Sequence, residues 1–359
     1  MSYLAPTSRV APTHVQIELT WRCNWRCVHC YQDRHDLEVL TTANLLGLFG
    51  ELQAVGTMHV ILTGGEPLVR KDLFILLDDL ANRRILVTLY SNGHQIDKTM
   101  ASRLVDRVGA VELSILAGDP QVHDALASVR GSHARTVRAA RALRRAGIAV
   151  VLKTPVMREA LGSLKAIELL ALEIGAEWNA DTEISQSYDG ASYALQHAIT
   201  AEETARFYQD YPQFNPFEGG GMDPGVIDGV CLAGRQYCFI DVRGNVYPCL
   251  NFKSASDHAE MNGRGNARMG NILTDSFREI WKSSTVTKAI RSASSASFSR
   301  CSNCSGGCKP CMALNFEETG ELFRPAPTVC RKTAIGAGAR QCSKDIPNTL
   351  DQPEAMGGL

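Results

Sequence analysis

Apolar and polar positions change period several times along the first half of the chain. Val15–Thr20 alternates, as a strand with one buried face does. Thr42–Val55 places Leu45, Leu46, Phe49 and Leu52 at helical spacing. His59–Thr63 is a short β-branched run that ends in Gly64-Gly65. The alternation then repeats: helix 71–81, strand 85–90 ending in Ser91-Asn92-Gly93, helix 97–108, strand 110–116. Ser132 is placed to cap a helix running to Ala146, with Gly147 as its stop. Strand 149–156, helix 161–174 stopped at Gly175, strand 177–185 and helix 201–211 complete the series.

Strict strand–helix alternation predicts an α/β fold with a parallel sheet and helices outside. Six repeats in about 200 residues suit a partial (β/α)6 TIM-like barrel, since a full eightfold barrel needs about 250. Ligands in such sheets bind at the C-terminal ends of the strands. The cysteines at 23–30, Gly64–Pro67 and Ser91–Gly93 each follow a strand, so one mouth should hold all three groups.

The pattern changes after residue 211. Pro212–Gly225 carries many prolines and glycines and reads as a linker, extended to residue 230. A cysteine-rich module follows over 231–335, and residues 336–359 read as a flexible tail. Residues 1–14 form a short extension before the 15–211 barrel. Ser254–Gly270 is polar with several glycines and is expected to be a long surface loop. Among 359 residues, 37 Lys and Arg stand against 38 Asp and Glu. That balance offers no field to gather nucleic acid or an anionic membrane. No apolar run approaches the ~20 residues that span a bilayer. Met1–His14 lacks a basic region followed by an apolar stretch, so a cytoplasmic location is expected.

The 12 cysteines are unevenly spread: three at 23, 27 and 30, and nine between 231 and 342. In a reducing compartment, clustered cysteines point to metal or cluster ligation before disulfides. Cys23, Cys27 and Cys30 on one loop can hold three irons of a 4Fe–4S cluster and leave the fourth open. A zinc site is the alternative, with His29 as a fourth ligand that would have to fold back.

Gly64-Gly65-Glu66-Pro67 at the next strand end, taken with the cysteine loop, resembles the radical SAM superfamily. The resemblance implies that Cys23, Cys27 and Cys30 hold a 4Fe–4S cluster whose open iron is chelated by S-adenosylmethionine (SAM). It implies that Gly64, Gly65, Glu66 and Pro67 contact the methionyl amino group. Glycines permit close backbone approach, and carbonyls with Glu66 can accept from an ammonium. Ser91 and Asn92 resemble the turn after the third strand, and Ser114 the end of the fourth. His123-Asp124 and Arg130-Gly131-Ser132 resemble the next segment, with Arg130 for the SAM carboxylate. Relatives commonly read Ser-Leu-Asp-Gly where this chain has Ser114-Ile115-Leu116-Ala117-Gly118-Asp119, so an acid is displaced.

Cys231, Cys238 and Cys249, the last in Gly244-x4-Cys249, precede Cys301, Cys304, Cys308, Cys311 and Cys330. Eight ligands make two sets of four, for two clusters or two zinc sites. Their order resembles the SPASM extension of radical SAM enzymes, with shorter late gaps. The resemblance assigns Cys231, Cys238, Cys249 and Cys311 to a first auxiliary 4Fe–4S cluster, and Cys301, Cys304, Cys308 and Cys330 to a second. Gly270-Asn271-Ile272 and Trp281 look like part of the same module. Cys342 is left over.

By resemblance, the chain is an enzyme with three 4Fe–4S clusters and SAM, fed by an external donor such as flavodoxin or ferredoxin. Reductive cleavage of SAM yields a 5′-deoxyadenosyl radical that takes a hydrogen atom from substrate, and fully ligated auxiliary clusters would accept an electron. The expected substrate is a ribosomally made peptide, cross-linked or oxidised at a side chain. With so short an N-terminal extension, a separate peptide-recognition protein is a possible partner. A small molecule such as an amino sugar or tetrapyrrole is the alternative, and a non-catalytic metal-binding scaffold a remote one. Leu250-Asn251 after Cys249 weakens a sulfatase-directed reading, since those relatives tend to carry an acid there. Asp181, Glu183 and Asp189, at the end of the last strand, are candidates to orient substrate or take a proton.

Overall fold

A computed structural model of the chain describes residues 11–215, 226–227, 230–293, 297 and 311–336. Six parallel strands lead the fold: β1 (His14–Glu18), β2 (His59–Thr63), β3 (Leu86–Ser91), β4 (Ala110–Ser114), β5 (Ala149–Pro155) and β6 (Glu177–Asp181). They pair in chain order, in register from His14 opposite His59 to Pro155 opposite Asp181. Helices α1 (Thr42–Val55), α2 (Leu73–Asn82), α3 (Lys98–Leu104), α4 (Pro120–Ala127), α5 (Ser132–Arg145), α6 (Leu164–Ile174) and α7 (Ala201–Asp210) connect or flank them. The partial barrel expected from alternation is therefore present.

Its core lies between strand and helix. Val15, Ile17, Val60, Leu62, Val87 and Leu89 point outward from the strands onto Leu45, Phe49, Leu76 and Leu80, all buried. Gln16, Glu18, Thr63, Tyr90, Glu112, Ser114 and Lys153 occupy the alternate positions and face the lumen, as the two-residue period of a strand requires.

Several boundaries differ from the sequence reading. Ser132 is the first residue of α5 rather than its cap; Gly131, in the left-handed region at φ 75°, precedes the helix. Ser132 Oγ instead donates to Asp124 Oδ1 at 2.9 Å. The displaced acid Asp119 caps α4, a helix the periodicity did not announce, by accepting from Gln121 and Val122 N–H. The largest correction concerns Ser254–Gly270. Its first half is not a surface loop but the end of α8 (Leu250–Met261). Phe252, Ala255 and Ala259 form a buried stripe. Polar residues on the inner side of the helix are buried with partners: Lys253 beside Asp257, and Ser256 Oγ accepting from Ala267 N–H.

The rear of the chain also differs in how it attaches. The hairpin β7 (Val226–Ile227) and β8 (Val230–Cys231) is followed by β9 (Tyr237–Ile240), β10 (Asn245–Tyr247) and β11 (Gly270–Asn271). β9 pairs in parallel with β1, so the barrel sheet continues into the rear module as a nine-stranded sheet. A partial barrel leaves the β1 edge open, and a strand there satisfies its backbone groups. Helices α9 (Phe277–Ser283), α10 (Thr285–Ser292), α11 (Met312–Thr319) and α12 (Pro327–Gly336) complete the described chain. Among the described residues, no helix is long and apolar enough to cross a membrane.

Candidate active site and cluster-binding residues

The loop after β1 is fixed at both ends by one side chain. Arg70 is buried, donates from Nη1 to the carbonyls of Leu19 at 2.7 Å and Leu40 at 3.0 Å, and pairs with Asp72 at 2.8 Å. Its fork geometry suits three acceptors at once. Nothing in the motif pattern announces Arg70, because it acts on backbone rather than on a ligand. Along the loop, Arg26 and Val28 N–H donate to the carbonyls of Ala127 and Leu126 at the end of α4. Cys30 N–H closes onto Cys27 O, and Tyr193 Oη donates to Cys30 O at 3.0 Å.

Gly64 and Gly65 lie flat against this loop. Gly65 and Glu66 N–H donate to the carbonyls of Thr20 and Arg22 at 2.7 and 2.9 Å. A β-carbon on Gly64 would meet Thr20 O at 2.2 Å, and one on Gly65 would meet Arg22 O at 2.5 Å. Gly64 also has φ 140°. Only glycine fits such an approach.

Glu66 departs from expectation. It is buried, accepts from Leu68 N–H, Ser91 Oγ and Asn92 N–H, and does not line the mouth. Burial pushes its carboxyl up to about 7 against those donors. Its visible work is to hold the Ser91–Asn92 turn, while Pro67 opens a short helical turn behind it. Asn92 Nδ2 in turn donates to Asn24 Oδ1 at 2.7 Å and lies 3.9 Å from Cys23 Sγ.

The mouth itself is a cleft open to solvent. Cys23, Cys27 and Cys30 line it together with Gly64, Gly65, Tyr90, Ser91, Asn92 and Ser114. The structure brings the other front residues singled out in the sequence to one mouth, and Glu66, Pro67 and Arg130 do not line it. Arg130 is exposed and does not line the cavity. The neighbouring Arg135 stands closer, 2.5 Å from His94 Nε2, and His94 Nδ1 meets the Trp25 indole of the cavity wall.

Two wall residues, Gln32 and His35, were missed as site residues, and His29 was weighed only as a zinc ligand. His29, Gln32 and His35 line the cavity, and His29 Nδ1, His35 Nδ1 and both carboxamide atoms of Gln32 are buried without a partner. Burial pulls His29 down to about 4, so it is neutral. Unsatisfied polar atoms cost about 1–3 kcal/mol each. Three thiols and four orphaned polar atoms around one opening fit a bound polar cofactor. The thiols are pushed up by burial, Cys30 to about 11, and their mutual repulsion raises Cys27 further. Metal ligation must release their protons.

The acids after β6 are not at this mouth. Asp181 is exposed and accepts from Glu183 N–H; Asp189 is exposed and accepts from Ala191 N–H. Glu183 lines a second opening of about 1090 Å³ with Gln186, Asn251, His258 and Glu317, between the barrel edge and the rear helices.

At the rear, Cys249 and Cys311 immediately precede α8 and α11, which pack together. Gly244 turns at φ 82°, and β10 leads from it toward Cys249 as the Gly-x4-Cys spacing predicts. Cys231, Cys249 and Cys311 adjoin one apolar cluster around Phe239 and Phe316. Cys231 and Cys311, after burial, add to the upward shift of the Cys249 thiol. Cys238 is not with them: it is fully buried in the barrel's outer core. Cys330 lies on α12. Cys301, Cys304, Cys308 and Cys342 lie outside the described residues.

A thiol-lined mouth on a partial parallel barrel, with a second cysteine group in the module behind it, has the donor set of an iron–sulfur enzyme of the barrel type. Comparison with known proteins makes this specific: the chain belongs to the radical SAM superfamily. That family's model matches residues 17–167, and the SPASM iron–sulfur cluster-binding domain matches 231–317. It is therefore an enzyme that works with SAM and iron–sulfur clusters. The chain is 30% identical over 340 residues to mycofactocin maturase MftC of Mycobacterium ulcerans, covering 88% of this chain and 87% of that one. It is 27% identical over 344 residues to the AdoMet-dependent heme synthase of Nitratidesulfovibrio vulgaris, covering 86% and 90%. The crystal structure of Streptococcus suis SuiB bound to S-adenosylmethionine shares the fold, with a TM-score of 0.68 and 17% identity over 89% of this chain and 77% of that one.

Proposed function

We propose that the chain is a radical SAM peptide maturase that acts on a side chain of a ribosomally made peptide. Cys23, Cys27 and Cys30 hold the SAM-binding cluster. The rear cysteines hold two auxiliary clusters, which makes three 4Fe–4S clusters in all. Bound there, cluster and SAM supply a 5′-deoxyadenosyl radical when an external donor such as flavodoxin or ferredoxin delivers an electron.

The chain's own residues do the positioning. Gly64 and Gly65 keep the wall thin beside the cysteine loop. Ser91, Asn92 and Ser114 offer hydroxyl and amide groups to the cofactor. Half-buried Tyr31 and the buried Tyr188 ring packed on it 5.0 Å away close one side against water. Glu183, of the three candidate acids, stands on the substrate's path through the second opening.

Gln32 carries the peptide reading. It is 3% exposed, faces the mouth, and neither atom of its carboxamide has a partner. A carboxamide sets a donor beside an acceptor, which complements a peptide group. The maturase relative supports the same class of substrate, and a separate recognition protein would deliver the peptide.

The test is anaerobic reconstitution followed by SAM, dithionite and either a short peptide encoded beside the gene or a tetrapyrrole or amino sugar. About twelve irons per chain, 5′-deoxyadenosine and a mass change in one peptide are expected. Radical formation with a changed tetrapyrrole or sugar and no changed peptide would move the substrate to the small-molecule class.

A further inference from the structure

The two faces of β9 decide which rear cysteines can act together. β9 pairs with β1 in a fixed register, Val15 opposite Cys238 and Gln16 opposite Phe239. Directly opposed residues share a face, and successive residues alternate. Cys238 and Ile240 therefore join Val15 and Ile17 on the outer face, against buried Phe277, Ile280 and Trp281 of α9. Tyr237 and Phe239 take the opposite face. Tyr237 Oη donates to Gln16, and Phe239 packs in the cluster that Cys231, Cys249 and Cys311 adjoin. The sheet itself stands between Cys238 and the other three. Reaching them would require a one-residue slip of β9, which would bury Tyr237 and expel Ile240 from the core.

We infer that Cys238 is a core residue and not a cluster ligand, so that among the described residues the first auxiliary set is Cys231, Cys249 and Cys311, three thiolates where a fully ligated 4Fe–4S cluster takes four. The inference rests on the auxiliary-cluster reading above and changes its consequence. Four thiolates suit an electron acceptor alone. Three leave an iron to be completed by an oxygen, nitrogen or sulfur donor from outside the set, as an amine, carboxylate or thiol of a substrate provides. Of the five other rear cysteines, the resemblance assigns Cys301, Cys304, Cys308 and Cys330 to the second set without Cys238, and Cys342 to neither.

The test uses the full chain carrying C23A, C27A and C30A, which removes the front cluster and its open iron. Into it go C238V, which keeps an apolar side chain of similar size, and C238A as a second variant in case valine crowds the site. C249A serves as the ligand control. Iron, sulfide and the EPR spectrum of the reduced clusters are read, with circular dichroism to show folding.

The expected result is about eight irons and an unchanged spectrum in C238V or C238A, against about four irons in C249A. Carbon-13 cyanide, a small donor, should give a hyperfine coupling on an auxiliary cluster. Loss of about four irons in folded C238V or C238A would overturn the inference, and so would absence of any cyanide coupling. No iron in the background with Cys238 intact would instead overturn the auxiliary-cluster reading on which it depends.

Discussion

The front and rear cysteine groups are built by opposite means. At the front, three thiols sit within eight residues on one loop, which Arg70 pins at both ends. Local spacing alone brings them together. At the rear, Cys231, Cys249 and Cys311 come from a hairpin and from the starts of two packed helices. There, strand parity and helix packing decide which thiols meet, and one cysteine in the right order faces the wrong way. Spacing alone brings thiols together where they share a loop, and strand parity decides where a sheet intervenes.

The strongest challenge to this contrast is to remove the front loop's thiols. C23A/C27A/C30A should abolish 5′-deoxyadenosine formation while keeping about two-thirds of the iron, which iron analysis and a SAM-cleavage assay read together. Retained SAM cleavage would show that the two groups are not separate. A smaller effect should follow R70A. It strips two carbonyls and Asp72 of a buried partner, a loss of roughly 3–5 kcal/mol, seen as a lower urea midpoint. Front-cluster iron should fall and auxiliary iron should not; equal loss from both would mean that Arg70 braces the whole sheet.

The rear junction offers a pH handle. His258 on α8 sits between Glu317 at 2.6 Å and the Ser187 carbonyl at 2.9 Å, and the bond to Glu317 outweighs burial to raise its pKa. A raised folded pKa contributes stability below the unfolded value, near 6.5, and loses it as pH rises through the folded value. The urea midpoint should therefore fall between pH 6 and pH 8, and H258Q should flatten that slope. An unchanged slope would mean that His258 does not carry charge at this junction. G47A is expected to do least and in the other direction. Gly47 lies inside α1 with nothing within 4 Å of an added β-carbon, so alanine should stabilise by about 0.5–1 kcal/mol with no change in either iron pool.

Much of the barrel was legible because its strands and helices differ in period, and because glycines stop α1, α5 and α6 or their turns. The helix at 250–261 was not, since Lys253, Ser256 and His258 look exposed in a sequence and are buried, Lys253 under the Tyr188 ring and His258 between Ser187 and Glu317. Gln32 and Arg70 escaped for a related reason. Their roles rest on burial and on carbonyls, and neither leaves a spacing signature.

What the sequence determined by itself was the alternation of elements, the shared mouth at the strand ends and the chemistry of a three-thiol loop, all of which depend on residues close together in the chain. Only the tertiary structure decided that Glu66 serves the Ser91–Asn92 turn, that Asp181 and Asp189 lie away from the mouth, and that Cys238 belongs to the core. Each depends on which face of a strand or helix a side chain occupies once distant segments pair, and a register set by Val15 against Cys238 exists only in the folded sheet.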